Sequence, residues 1–211
     1  MLICLEGPSG SGKSTMARRV AAEIGATVIE GGVWYRSLAY LALEEGIKLD
    51  DLSALLSLLR RSSIELSVDI SGVTQVHVNG NNATQHIYLP SVTESVAAVA
   101  SHRSVRTEIE PLIIAAAQAQ SRTIMVGRNM KSAFPDLPVL RVIIDEQCLQ
   151  RRNSGRDDAA SLANRNKSDR QTKAMLGEVI DGVTEVDVSD MSVDQQAEVL
   201  RIFIRENFNK V

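Results

Sequence analysis

The nine residues Gly7-Pro8-Ser9-Gly10-Ser11-Gly12-Lys13-Ser14-Thr15 constrain this chain more than any others. They follow the spacing G-x-x-x-x-G-K-[ST], in which a glycine-rich loop turns backbone N–H groups around phosphate oxygens. The flanks supply the context that such a loop needs. Leu2-Ile3-Cys4-Leu5 is an apolar run of the length of a buried parallel strand. Downstream, Met16, Val20 and Ile24 recur at helical spacing beside Ala17 and Ala21, and Gly25 stands where the helix ends. A helix N-terminus after the loop adds a dipole that favours anions. Lys13 is placed to bridge the β- and γ-phosphates and the Ser14 hydroxyl to ligate Mg²⁺. Gly7, Ser9, Gly10, Ser11, Gly12 and Thr15 complete the cradle. The residues predict a nucleoside triphosphate donor, ATP, bound with Mg²⁺.

Composition limits the partners. Aromatic residues make up 3% of the chain, too few for a stacking platform for single-stranded nucleic acid. A net charge of −3 over 211 residues gives no overall attraction to nucleic acid or to an anionic membrane surface. Cys4 and Cys148 have no metal-like spacing and suggest no disulfide framework, so a reducing cytoplasm is the expected location. The apolar start runs straight into the loop and does not read as a signal peptide. No stretch is long enough for a membrane span. A monomer is expected.

Along the chain, Thr27 to Glu30 reads as a second strand, followed by a helix carrying Trp34, Leu38, Leu41 and Ala42 and ending at Gly46. A short helix with Leu52, Leu55, Leu56 and Leu59 comes next. The pattern then alternates from Ile64 to Ile70 and from Val73 to Val78. With Gly80-Asn81-Asn82 and the mixed run from Ala83 to Leu89, this predicts a small antiparallel meander. Helical spacing returns at Val92, Val96 and Val99, then at Val105, Ile109, Leu112 and Ile113, with Pro111 expected to kink or restart the helix. Buried strands are predicted at 123–126 and 139–144 and a last strand near 185–188. A terminal helix carries Val199, Ile202 and Phe203. Alternating strands and helices around the loop predict an α/β fold: a doubly wound, parallel five-stranded sheet with helices on both faces, a small antiparallel insert and a helical lid. The expected organisation is a core of 1–62 and 104–211, with a lid at about 151–173 and a substrate-binding insert at 63–103.

The phosphate loop names the donor, and arginines point to the acceptor. Between Arg151 and Lys173 seven basic residues face three acidic ones, although the whole chain is acidic, which fits a segment that meets an anion. Arginine suits phosphate because its planar fork matches the oxygens and its charge is permanent.

Several elements occur in the order found in bacterial cytidylate kinases, and the chain resembles that family nearly end to end. They are the phosphate loop, Glu30-Gly31-Gly32-Val33-Trp34-Tyr35-Arg36, Val105-Arg106, Gly127-Arg128-Asn129-Met130 with Phe134-Pro135-Asp136, and Arg165 with Asp169. The resemblance implies an acceptor monophosphate gripped by Arg36 and Arg128 beside Tyr35, a pyrimidine read partly by Arg106, and a ribose held by Arg165 and Asp169. It also implies that Arg151 and Arg156 belong to a lid over the donor phosphates. Glu30 keeps a carboxylate able to hold a Mg²⁺-bound water.

The departures fall mainly on the acceptor side. The family's Gly-Lys-Gly-Thr is Gly12-Lys13-Ser14-Thr15 here, the form shared with small-metabolite kinases. Its Asp-Ser-Gly is Glu30-Gly31-Gly32, and its Asp-Gly-Arg-Asp is Val126-Gly127-Arg128-Asn129, so two carboxylates are gone. A base-reading serine is Ala97, and an arginine expected after Asp169 is Thr172. Three readings follow. The first is a nucleoside monophosphate kinase acting on a pyrimidine nucleotide, with altered base preference. The second is a kinase of another small metabolite. The third is a low-turnover nucleotide-binding regulatory protein.

Overall fold

The computed structural model describes residues 1–68, 74–154 and 181–208. The chain divides into two compact units, one of residues 1–30 with 117–211 and the other of 31–116.

The first unit is built on a five-stranded parallel sheet. In chain order its strands are β1 (Leu2–Glu6), β2 (Thr27–Glu30), β6 (Thr123–Gly127), β7 (Val139–Ile143) and β8 (Val183–Asp187). They lie side by side as β2-β6-β1-β7-β8. From β1 the chain crosses to the outer β2, returns to β6 beside β1 and then crosses to β7 and β8. The connections from neighbouring β1 and β6 thus leave in opposite directions, and ligands of such sheets bind beyond the strand ends at that reversal. The phosphate loop leaves β1 at this point. Helices α1 (Lys13–Ile24) and α8 (Val193–Phe208) pack on one sheet face. Ile3 and Leu5 alternate onto that face and join Met16, Val20, Ile124, Val142, Leu200 and Phe203 in an apolar core. Cys4 points to the opposite face and is fully buried. Burial first, then the nearby Glu6 carboxylate, pushes its thiol up to about 12, which makes it an inert core residue. Among the described residues the unit also has two short helices, α6 (Met130–Ala133) after β6 and α7 (Glu146–Asn153) after β7.

The second unit holds α2 (Gly32–Glu44), α3 (Leu52–Arg61), a small antiparallel sheet, α4 (Pro90–Ser101) and most of α5 (Arg103–Gln118). The sheet pairs β3 (Ile64–Val68) with β4 (Thr74–Val78), and β4 with the two-residue β5 (Asn81–Asn82). Helix α2 packs against α4, α3 and a 3₁₀ turn at His86–Tyr88.

Four details differ from the sequence expectation. The run from Ala83 to Leu89 adds no strand beyond β5; it closes into the 3₁₀ turn, ahead of Pro90 at the first position of α4. Pro111 does not restart a helix, since α5 continues across it. Pro111 and Thr107 both lie on the exposed side of α5, where water can replace the hydrogen bond that proline cannot donate. The break falls instead at His102, whose backbone is extended. Finally, Leu112 and Ile202 are each 42% exposed, because Ile109 and Ile113 in α5 and Leu200, Phe203 and Ile204 in α8 already fill the inward stripe. Among the described residues, no helix is long and apolar enough to cross a membrane.

Candidate active site

The loop after β1 adopts backbone angles that its glycines permit. Gly12 is the N-cap of α1 with φ 96°, and Gly10 has φ 81°. Neither position has room for a side chain. A Cβ on Gly10 would meet Asn153 Oδ1 at 2.5 Å, and one on Gly12 would meet Gln196 Oε1 at 2.8 Å. Asn153 at the end of α7 and Gln196 on α8 are both buried, so two helices press on the outer wall of the loop.

Arg152 fastens this wall. Its Nη1 donates to the Ser11 carbonyl at 3.2 Å, and its Nη2 donates to the carbonyls of Val188 at 2.6 Å and of Ser189 and Met191 at 3.2 Å. The loop is thereby tied to the segment between β8 and α8. Arg151, the neighbour singled out from sequence, donates instead to Cys148 Sγ at 2.6 Å. Adjacent positions on a helix point about 100° apart, and nothing in the local sequence says which arginine faces the loop.

Inside the loop, the Lys13 ammonium donates to the Pro8 carbonyl at 2.5 Å and to Ser11 Oγ at 3.1 Å. Lys13 is 7% exposed, and its amine is held over the loop rather than in the apolar core. Phosphate oxygens are stronger, charged acceptors than a carbonyl and a hydroxyl and compete for these donors. Arg128, just past β6, donates from Nη2 to Ser9 Oγ at 2.6 Å. Lys13, Arg128 and the N-terminus of α1 therefore meet at one loop that itself contains no acid. Asn129 follows as the exposed N-cap of α6.

Oxygen donors for a divalent ion were expected at Ser14 and Glu30. Ser14 lies in the first turn of α1 beside Lys13 and is partly exposed. Glu30 ends β2 and accepts from Arg18 at 2.7 Å. Among the described residues no three His, Cys, Asp or Glu side chains gather as a metal cluster. A small hard cation bound through phosphates and water needs no such cage, so a single serine hydroxyl at this place fits Mg²⁺.

In the second unit, Arg36 on α2 is 9% exposed. Its Nη1 donates to the Ile87 carbonyl at 3.0 Å and to Thr93 Oγ1 at 2.9 Å, and its guanidinium carbon lies 4.7 Å from the centre of the Tyr88 ring. The cation is thus oriented on several sides while Tyr88 remains 44% exposed. Tyr35 stands close to Glu110 and Arg106. Burial first, then the Glu110 carboxylate, pushes its hydroxyl up to about 12, still further from ionisation at neutral pH than an ordinary tyrosine. Arg106 Nη1 donates to the carbonyls of Ala100 at 2.6 Å and Ser101 at 2.9 Å, the open end of α4. Arg156, Arg165 and Asp169, and the lid beyond residue 154, lie outside the described residues.

Residues that sequence reasoning missed are Arg152, Asn153 and Gln196 behind the loop, and Glu6 and Arg141 beneath it. Glu6 is 1% and Arg141 3% exposed, and they are joined at 2.6 Å. The signal was present, since each is a charge inside an otherwise apolar strand pattern, which calls for a partner.

Comparisons with known proteins identify the family. The sequence model of the family described as "Cytidylate kinase" matches residues 3–205. A cytidylate kinase of Geobacillus kaustophilus is 34% identical, covering 97% of this chain and 96% of its own. One of Bacillus licheniformis is 29% identical over 94% of this chain and 93% of its own. Among solved structures, a gluconokinase of Sinorhizobium meliloti has a TM-score of 0.51 at 16% identity, covering 98% of this chain and 93% of that one, which supports the P-loop kinase fold alone. With a glycine loop, a lysine and an arginine gathered at the end of β1, and a family match from end to end, the chain belongs to the cytidylate kinase family of nucleoside monophosphate kinases.

Proposed function

We propose that this protein transfers the γ-phosphoryl group of ATP to a pyrimidine nucleoside monophosphate, with less preference for cytosine than a carboxylate at position 129 would give. The observation that carries the reading is the Arg128–Ser9 contact at 2.6 Å on the loop that also holds the Lys13 amine, which brings two basic side chains to one phosphate loop. Phosphoryl transfer leaves side chains little covalent work. Positioning and charge neutralisation supply the rate. Lys13 and the loop N–H groups bind the donor phosphates. Arg128 binds the acceptor's phosphate and neutralises charge on the group in transit. Arg36, already oriented by Ile87, Thr93 and Tyr88, binds the acceptor's phosphate. Tyr35, kept protonated, supports the same end of the acceptor. The Ser14 hydroxyl, with the Glu30 carboxylate through a bound water, would hold Mg²⁺, which would supply charge neutralisation at the donor phosphates.

The base preference rests on Asn129 and Ala97. A carboxylate only accepts hydrogen bonds, which suits the amino group of cytosine and repels the carbonyl of uracil. An amide has an acceptor oxygen and a donor NH₂ and can turn to serve either base. Ala97 offers neither group. The test is a panel of nucleoside monophosphates and common small-metabolite acceptors with ATP and Mg²⁺, scored for ADP release. Turnover confined to pyrimidine monophosphates supports the reading. Turnover only on an unphosphorylated metabolite replaces it with the metabolite-kinase alternative.

A further inference from the structure

The central strand ends in a buried acid that the transfer reaction, as drawn above, does not use. Glu6 is the last residue of β1 and is joined by one peptide bond to Gly7, the first residue of the phosphate loop. In the sheet register it stands between Gly127 of β6 and Arg141 of β7, and Arg141 in turn faces Glu185 of β8. The three charges form a ladder across neighbouring strands on one sheet face. Arg141 Nε donates to Glu6 Oε1 at 2.6 Å, and Arg141 Nη1 donates to Glu185 Oε1 at 2.8 Å. The second oxygen of Glu6 is used elsewhere. Oε2 accepts from the backbone N–H of Lys131 at 3.1 Å. Lys131 lies three residues beyond Arg128, whose guanidinium reaches back to Ser9.

We infer that Glu6 is a positioning residue for phosphoryl transfer, acting through the segment 128–131. One carboxylate oxygen is anchored by Arg141, and the other holds the turn that carries Arg128 against the phosphate loop. The inference rests on the role proposed for Arg128. Purely structural burial of an ion pair would be served by Arg141 alone, whereas here the second oxygen is spent on the backbone of the turn three residues beyond the catalytic arginine. Both partners of Glu6 are donors, so a carboxylate with two accepting oxygens satisfies them and an amide does not. Glutamine at this position must present NH₂ to one N–H and lose that contact.

The test is Glu6→Gln alone and in an Arg128→Ala background, with ADP release measured in the presence and absence of cytidine monophosphate, and ATP affinity measured separately. Misplacement of a catalytic group by about 1 Å costs up to about a hundredfold in rate. The expected result is a ten- to hundredfold fall in kcat (order of magnitude) for Glu6→Gln, with ATP affinity changed less than about threefold. In the Arg128→Ala background the same substitution costs less than about threefold, because the group it positions is gone. Equal losses in both backgrounds, or a wild-type kcat in Glu6→Gln, overturn the inference.

If Glu6→Gln fails to fold, Glu6→Met with Arg141→Met replaces the buried pair by apolar groups of similar length, a change that folds tolerate well. That variant keeps the wild-type melting temperature to within a few degrees and still loses kcat if Glu6 positions Arg128; it recovers full kcat if the pair is only structural. Failure of the proposed function reads differently. If the wild type accepts no nucleoside monophosphate, that reading falls, and the two backgrounds are then compared on ADP release without acceptor.

Discussion

The guanidinium of Arg128 donates to the hydroxyl of Ser9 at 2.6 Å, across 119 positions of sequence. The contact joins the turn after β6 to the loop after β1, the two ends of adjacent parallel strands. It puts a permanent cation beside the loop that carries Lys13, and the two charges can be removed one at a time.

Lys13→Ala is expected to lower kcat by at least about a hundredfold, the scale seen when one charge-stabilising donor is removed from a reacting group. The fold is expected to survive, because the ammonium bonds to Pro8 and Ser11 within the loop rather than to the core. Steady-state rates and a melting curve on the same preparation check both halves. An active Lys13→Ala enzyme removes the phosphate-loop assignment.

Arg36 and Arg128 should separate into different phenotypes. Each substitution to alanine weakens acceptor binding by about ten- to a hundredfold, the value of a charged hydrogen bond. Arg36→Ala also strands a buried carbonyl at Ile87 and the hydroxyl of Thr93, so it loses about 1–3 kcal/mol of stability. Arg128 is half-exposed and its contact with Ser9 lies in the loop, so Arg128→Ala is expected to cost less stability than Arg36→Ala in a denaturant titration. Equal destabilisation by both would contradict this assignment of partners.

What could be read from sequence was what local spacing encodes. The loop, with Gly25 closing α1 in the left-handed conformation, followed from glycine placement. The β3–β4 pair followed from alternation. Pairings set by tertiary packing could not be read this way. Arg151 and Arg152 are equivalent in sequence, yet only Arg152 reaches Ser11. Glu6 and Arg141 are 135 positions apart, and only the register of β1 on β7 brings them together. That Pro111 does not restart a helix was not legible either, because sequence does not show that it falls on the exposed side of α5.

The N-cap of α7 gives a pH-dependent prediction. Asp145 accepts from the Cys148 N–H at 2.8 Å, and it is drawn down from an ordinary 3.8 to about 2 by the Cys148 side chain first and then by that N–H. A carboxyl more acidic when folded takes up its proton more readily when unfolded. Its contribution is therefore complete above the unfolded value and fades as pH falls toward about 2. Asp145→Asn, which keeps a capping oxygen, should flatten the acid limb of stability in that window. Denaturant midpoints between neutral and acid pH test this; an unchanged acid limb would argue against it.

Ser37, beside Arg36 on α2, is fully buried, and its hydroxyl has no hydrogen-bond partner among the described residues. Ser37→Ala removes an unsatisfied polar atom and leaves helical geometry intact. A gain of about 1 kcal/mol is expected, read as a higher denaturant midpoint with an unchanged slope. A loss of stability would mean that the hydroxyl has a partner in solution.

The most direct test is to measure kcat/KM for cytidine and uridine monophosphates side by side, with ATP and Mg²⁺, for the wild type and Asn129→Asp. The account predicts turnover of both by the wild type within about tenfold of each other, because an amide serves either base. It also predicts a cytosine preference that widens by about a hundredfold or more in Asn129→Asp. A wild-type preference for cytidine monophosphate of about a thousandfold would contradict the role given to Asn129. Absence of ADP release with every nucleoside monophosphate would contradict the proposed function itself.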